Sequence, residues 1–242
     1  MSVPVTPSAA GAQEEILASL RRLRNRARVR ARAGLLDEAI ETMNGLGFDV
    51  VRLAARDDVI KRVLEIIPSG ATAAYHPCVV GRAVGVVDVL RAEGRIVVIL
   101  PSDGEPNQQN GSWRDHVLAA QFGITGANAL VAATGSLMLA EELGFGRAAS
   151  NVPPVHIALV TADSVVESLL DAVLVARGYA AMHLNRPVPR YVSLVSGPSK
   201  TADIGFTLVH GMHGPRTVHV LIWEHPKSAG MNDEALRAWV LA

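Results

Sequence analysis

ATAAYHPCVVGRAVGVVDVLRAEGRIVVIL, residues 71–100, carries a complete strand–helix–strand unit. Residues 71–76 make a short extended run, and residues 79–90 are rich in Val and Gly at helix length. Arg95 to Leu100 is a continuous apolar run that stops at Pro101. A run with no polar alternation predicts a strand buried on both faces, the kind found in parallel sheets. The same alternation continues on either side. A helix is expected over Leu35 to Leu46, a strand over Phe48 to Leu53, and a helix over Asp57 to Ile67 that stops at Pro68-Ser69-Gly70. Further along, residues 117–122 read as helical and 155–160 as a strand, and 164–175 as a helix capped by Ser164. Strands over 191–195 and 218–223 and a terminal helix over 234–241 complete the order. Strands alternating with helices predict an α/β fold, a Rossmann-like, mostly parallel sheet with helices on both faces. Residues 1–33 are expected to form a tail and a basic helical arm, and residues 34–242 a single α/β domain.

Bulk properties narrow the function. The chain has 242 residues, 23 basic and 23 acidic side chains, and 4% aromatics. A zero net charge argues against a general nucleic-acid binder, and few aromatics argue against a base-stacking surface. Seven arginines between Arg21 and Arg32 are the exception. Alternate helix positions lie about 200° apart, so these side chains spread around the cylinder, as on a solvated helix. No apolar run reaches the ~18 residues of a membrane span, and residues 1–12 lack the apolar core of a secretory signal. A cytoplasmic protein is expected. Cys78 is the single cysteine, whereas an all-cysteine iron–sulfur cluster takes about four thiolates. This chain alone holds no such cluster, and a structural metal is not expected either.

Residues 193–216, SLVSGPSKTADIGFTLVHGMHGPR, crowd hydroxyls, charges and imidazoles between apolar strands. Ser199 is placed to cap a helix starting near Thr201, with Lys200 beside free backbone N–H groups, an arrangement suited to an anion. Pro198 stands where a Walker A loop needs glycine, so the turn is not one. Asp203, Thr207 and His210 share one face of that expected helix, and Asp203 with His210 would serve acid–base work. The spacing of His210 and His213 also suits two metal ligands, but no third is readable. Earlier in the chain, Gly123-Ile-Thr-Gly126 and Thr134-Gly135-Ser136 offer small residues and hydroxyls where a backbone can approach a ligand. The expected ligand-binding set is therefore Thr125, Thr134, Gly135, Ser136, Ser199, Lys200, Thr201 and His213. The polar stretch 101–116 is read as one long loop.

Taken in order, the segments 123–136, 152–157, 197–204 and 211–215 resemble the lactate utilization, or LUD-domain, family. The resemblance covers roughly Leu35 to Trp223. It implies a fold like that of the CoA-transferase and ribose-phosphate-isomerase group. It also implies a part in oxidising L-lactate to pyruvate, with iron–sulfur clusters on separate subunits encoded in the same operon. Ala133 and Gly205 stand where the resemblance leads one to expect glutamates, which leaves Asp203 as the acid of its motif. The expected function is an accessory subunit that binds a small anionic ligand and iron–sulfur partners. The rival readings are a transferase or isomerase acting on a CoA ester or sugar phosphate, and a scaffolding protein that uses the arginine-rich arm.

Overall fold

The computed structural model describes residues 11, 14–22, 34–102, 113–201 and 209–224. Residues 14–22 are helical (α1). Then come α2 (Leu35–Leu46), β1 (Asp49–Leu53), α3 (Arg56–Ile66), β2 (Thr72–Tyr75), α4 (Val79–Val84), α5 (Val86–Ala92) and β3 (Ile96–Ile99). They are followed by α6 (Trp113–Ala119), β4 (Phe122–Thr125), β5 (Ala129–Val131), β6 (Ser136–Glu141), α7 (Phe145–Asn151) and β7 (Val155–Thr161). The last elements are β8 (Val165–Val166), α8 (Leu169–Tyr179), β9 (Tyr191–Val195), β10 (Lys200–Thr201), β11 (Val209–His210) and β12 (Thr217–Trp223).

Six strands form one sheet in the order β1-β12-β7-β4-β2-β3, and every neighbouring pair is parallel. Helices α3, α4 and α5 cover one face: Val59, Val63, Val80, Val84, Val86 and Leu90 pack on Tyr75, Ile124, Ile157 and Leu221. The opposite face is covered in sections. α2 lies over β7 and β12, while α6 and α7 pack on Ala74 through Val117, Phe145 and Ala149. Between them sits a second sheet, β8-β5-β6-β9, whose Leu130, Leu137 and Leu139 join the same core. The outer face of that small sheet is closed by α8 and by Ile16 and Leu20 of α1.

Several expectations are corrected. β3 is an edge strand, with Ile96 58% exposed, because an apolar run reports side-chain character and not the number of neighbouring strands. The helix expected over 79–90 is two helices, broken at Gly85 with φ +67, a left-handed conformation that glycine adopts without strain. Residues 113–119 are helical, so the polar stretch ends earlier than expected, and 122–125 is a strand. α8 starts at Leu169 and is capped by Ser168, not Ser164: Ser168 Oγ accepts from the Asp171 N–H at 3.3 Å. Lys200–Thr201 is a strand paired antiparallel with Val209–His210, so the helix expected near Thr201 does not begin there. The expected helix over 234–241 and most of the arginine-rich arm lie outside the described residues.

Candidate functional site at the carboxyl ends of the strands

The parallel sheet has two edges, and the expected ligand residues divide between them. Ser199 is tied to the residues that lead into β12: its N–H donates to Pro215 O at 2.8 Å, and its Oγ accepts from the His213 N–H at 3.2 Å. Lys200 Nζ donates to Leu46 O at 2.9 Å, at the C-terminal end of α2 and just ahead of β1. A cation there satisfies a terminal helix carbonyl and complements the helix dipole. Gly135 packs against the backbone of Thr42 and Met43 on the same helix end. Thr134 Oγ1 donates to Ser136 Oγ at 2.9 Å, and Ser136 Oγ lies 2.7 Å from Ser196 Oγ. Thr134, Gly135, Ser136, Ser199, Lys200 and His213 therefore gather at the amino-terminal edge of the sheet, with Thr201 one residue further along β10. Their polar groups mostly bond one another and the end of α2.

Thr125 is elsewhere. It ends β4 in register with Ala158 of β7 and Val220 of β12, three residues or about 10 Å beyond the start of those strands at ~3.3 Å per residue. Its Oγ1 lies 2.8 Å from His156 Nε2 inside the core. Burial, aided by the charge of His219, pushes the His156 imidazole down to about 3, so it is neutral at physiological pH. His210 is exposed on β11, opposite Lys200, and Asp203 lies outside the described residues. Among the described residues no cluster of three or more His, Cys, Asp or Glu is placed to hold a metal.

The carboxyl edge contains a crevice that these motifs did not indicate. The chain leaves β2 toward α4 on one face of the sheet, and leaves the adjacent β4 toward β5, β6 and α7 on the other. Such a reversal opens a cleft between two strand ends, the usual ligand position in doubly wound folds. Here it is a cavity of about 290 Å³. His76, Pro77 and Cys78 follow β2, Ser102 follows β3, and Gly126 to Asn128 follow β4.

Glu141 enters this cavity from the end of β6 and is 2% exposed. Its Oε2 accepts from the Gly146 N–H at 2.7 Å and its Oε1 from the Arg147 N–H at 2.6 Å, so the first turn of α7 fixes the carboxylate. The His76 imidazole and the Glu141 carboxylate flank the same point above Gly146, where a side chain would displace both. Asn128 is fixed by accepting the Ala140 N–H at 2.7 Å. Tyr179 and His183, rings 5.6 Å apart, and Arg82 of α4 also line the cavity. Cys78 is inert. Its Sγ accepts the Gly81 N–H as the cap of α4, and burial raises the thiol to about 11. An ionic acceptor, two imidazoles and a guanidinium around a small cavity equip it to bind and orient a polar metabolite.

The sequence holds one signal for this crevice, the polar His76 directly after an apolar strand. Glu141 carries none, because it meets His76 only through pairing of distant strands.

The sequence profile of the LUD domain matches residues 36–223. An uncharacterised protein of Neisseria meningitidis serogroup B is 38% identical over 119 residues, 47% of either chain. "Lactate utilization protein C 1" of Bacillus mycoides is 35% identical over 43% of this chain and 44% of its own. "Lactate utilization protein C" of Bacillus subtilis is 33% identical over 43% and 42%. These alignments span less than half of the relatives they match. A crystal structure of a DUF162 family protein from Deinococcus radiodurans superposes with a TM-score of 0.53, covering 79% of this chain and 98% of its own at 18% identity, and shares the fold.

Proposed function

Because the chain belongs to the LUD domain family, we propose that it takes part in lactate utilization as an accessory subunit that binds a small anionic ligand. The strand-end crevice, with Arg82, His76 and Glu141 on its walls, carries this reading. The names of the Bacillus relatives support the pathway. The electrons of lactate oxidation need a carrier, and the single buried Cys78 cannot supply the thiolates of a cluster. Iron–sulfur subunits encoded beside this chain are the proposed partners. The test is reconstitution: lactate-dependent reduction of an acceptor by the iron–sulfur subunits with and without this chain, and capture of those subunits by the purified chain. Lactate oxidation at full rate without the chain, or by the chain alone, would sink the accessory role.

Glu141 favours a second reading. It places a carboxylate in the cavity although Ala133 and Gly205 supply none, and a glutamate is the nucleophile that a CoA-transferase would need. Both of its oxygens already accept main-chain N–H groups, which makes it a poor nucleophile and keeps this reading second. Incubation with acyl-CoA followed by borohydride reduction should leave the mass of the Glu141 peptide unchanged. A reduced Glu141 would reverse the ranking.

A further inference from the structure

The small sheet ends in an open edge. β9 is its last strand, paired antiparallel with β6 on one side and with no described strand on the other. Met138 O accepts the Asn128 N–H, and the Ala140 N–H donates to Asn128 Oδ1, so both residues turn their main-chain groups toward β5. Leu194 and Val192, which face them on β9, therefore form non-hydrogen-bonded pairs with β6 and aim their own N–H and C=O groups at the open edge. No described residue bonds those groups. The edges of the large sheet are guarded. β1 carries Asp49 and Arg52, and on β3 the Val97 carbonyl accepts the Arg91 guanidinium at 3.3 Å. Charges and caps of this kind keep edge strands from pairing with other chains. β9, Tyr-Val-Ser-Leu-Val, carries no charge, and Tyr191, Val192 and Leu194 are 40%, 48% and 50% exposed. Val188 just ahead of the strand is exposed too, as is Leu143, beside the Gly144 over which the Tyr191 ring lies.

We propose that β9 pairs antiparallel with the β9 of a second copy of this chain, about a two-fold axis through Ser193. The strand is nearly palindromic about that residue, so it is its own complement. Val192 meets the partner's Leu194 and exchanges both main-chain hydrogen bonds with it. Tyr191 meets the partner's Val195, an aromatic and β-branched pair of the kind that stabilises sheets. With no charge on the strand, no like charges meet across the axis. A contact of this symmetry closes on itself and stops at two copies. A stable interface buries roughly 1,200 Å² or more in total, so Val188 and Leu143 take part beside the strand. The pairing owes nothing to the ligand or to lactate, but it lies next to the crevice. β6 is the neighbour of β9 and ends at Glu141, and Arg190, one residue ahead of β9, holds Glu142 at 2.8 Å. A second copy would brace the strand that carries Glu141 into each cavity.

The experiment is analytical sedimentation of the full chain over a concentration series, with variants that report the register. The unaltered chain should show a concentration-dependent dimer. In Val192→Lys/Leu194→Lys the lysines stand directly opposite one another across the axis, and the dimer should weaken about tenfold or more. In Val192→Lys/Leu194→Glu each lysine faces a glutamate, and the dimer should persist. Both positions are exposed, so the monomer should tolerate either pair, and thermal melts check this. Ser193→Cys should cross-link two copies on mild oxidation, because facing residues of a non-hydrogen-bonded pair sit about 4.5 Å apart at Cα. Cys78 is buried and does not compete. A chain that stays monomeric throughout, a dimer untouched by the lysine pair, two double variants that weaken it alike, or Ser193→Cys without cross-linking would each overturn the proposal. Should the double variants fail to fold, the unaltered chain and Ser193→Cys still decide it.

Discussion

The Thr125 hydroxyl and His156 Nε2 face each other at 2.8 Å across adjoining parallel strands. His156 is fully buried, and its Nδ1 has no hydrogen-bond partner among the described residues, so a protonated ring would have no counter-charge there. Its folded-state value is depressed to about 3, whereas the unfolded chain titrates near 6.5. Below that upper value the unfolded state binds a proton that the folded state refuses. Stability therefore falls as pH drops from about 6.5 toward about 3, by roughly 2 kcal/mol at pH 5. Urea melts at pH 7 and pH 5 should show this loss, and His156→Gln should show a clearly smaller difference between the two.

Lys200 acts on α2, and the strand-end crevice lies at the opposite edge of the sheet. Lys200→Met should cost about 0.3–1 kcal/mol, as expected for a cation at a helix C-terminus. It should leave the affinity for any small acid that the crevice binds unchanged in calorimetric titration. A tenfold loss of affinity would return the ligand to the Ser199 turn.

The Cys78 thiol should resist reagents while the fold persists. A value near 11, against the ordinary 9.0, leaves roughly a hundredfold less thiolate at pH 8. Reaction with a chromogenic disulfide should be slower than in denaturant by at least that factor. Comparable rates would show that the loop after β2 opens readily.

Gly123 and Gly45 should respond oppositely to alanine. A methyl group on Gly123 would collide with the Ala149 carbonyl where α7 crosses β4, and overpacking of this kind costs about 1–3 kcal/mol or more. Gly45 lies exposed in α2 with open space where a methyl would go, so alanine should add about 0.5–1 kcal/mol. Thermal melts of the two variants check both signs.

The parallel sheet is legible in the sequence because its central strands, β7 and β12, are apolar on both faces and each is separated from the next by helix-length segments. The small sheet is not. β8 is two residues long, and the pairing of β6 with β9 joins Leu137 to Val195 across a gap that no local pattern reports. For the same reason Thr134-Gly135-Ser136 reads as a ligand turn when its hydroxyls bond each other and Ser196. The motif residues do converge, but around the end of α2. The crevice draws on side chains as far apart as His76, Glu141 and His183, and only the folded chain assembles them.

Two residues that line the crevice belong to helices on opposite faces of the sheet: Arg82 rides on α4 and Glu141 is anchored to α7. An acid lodged there would act as a clasp, joining both outer layers at one rim. Saturation should therefore slow amide exchange in α4 and α7 together, although the helices sit on opposite sides of the molecule. Departure of the ligand would release both at once.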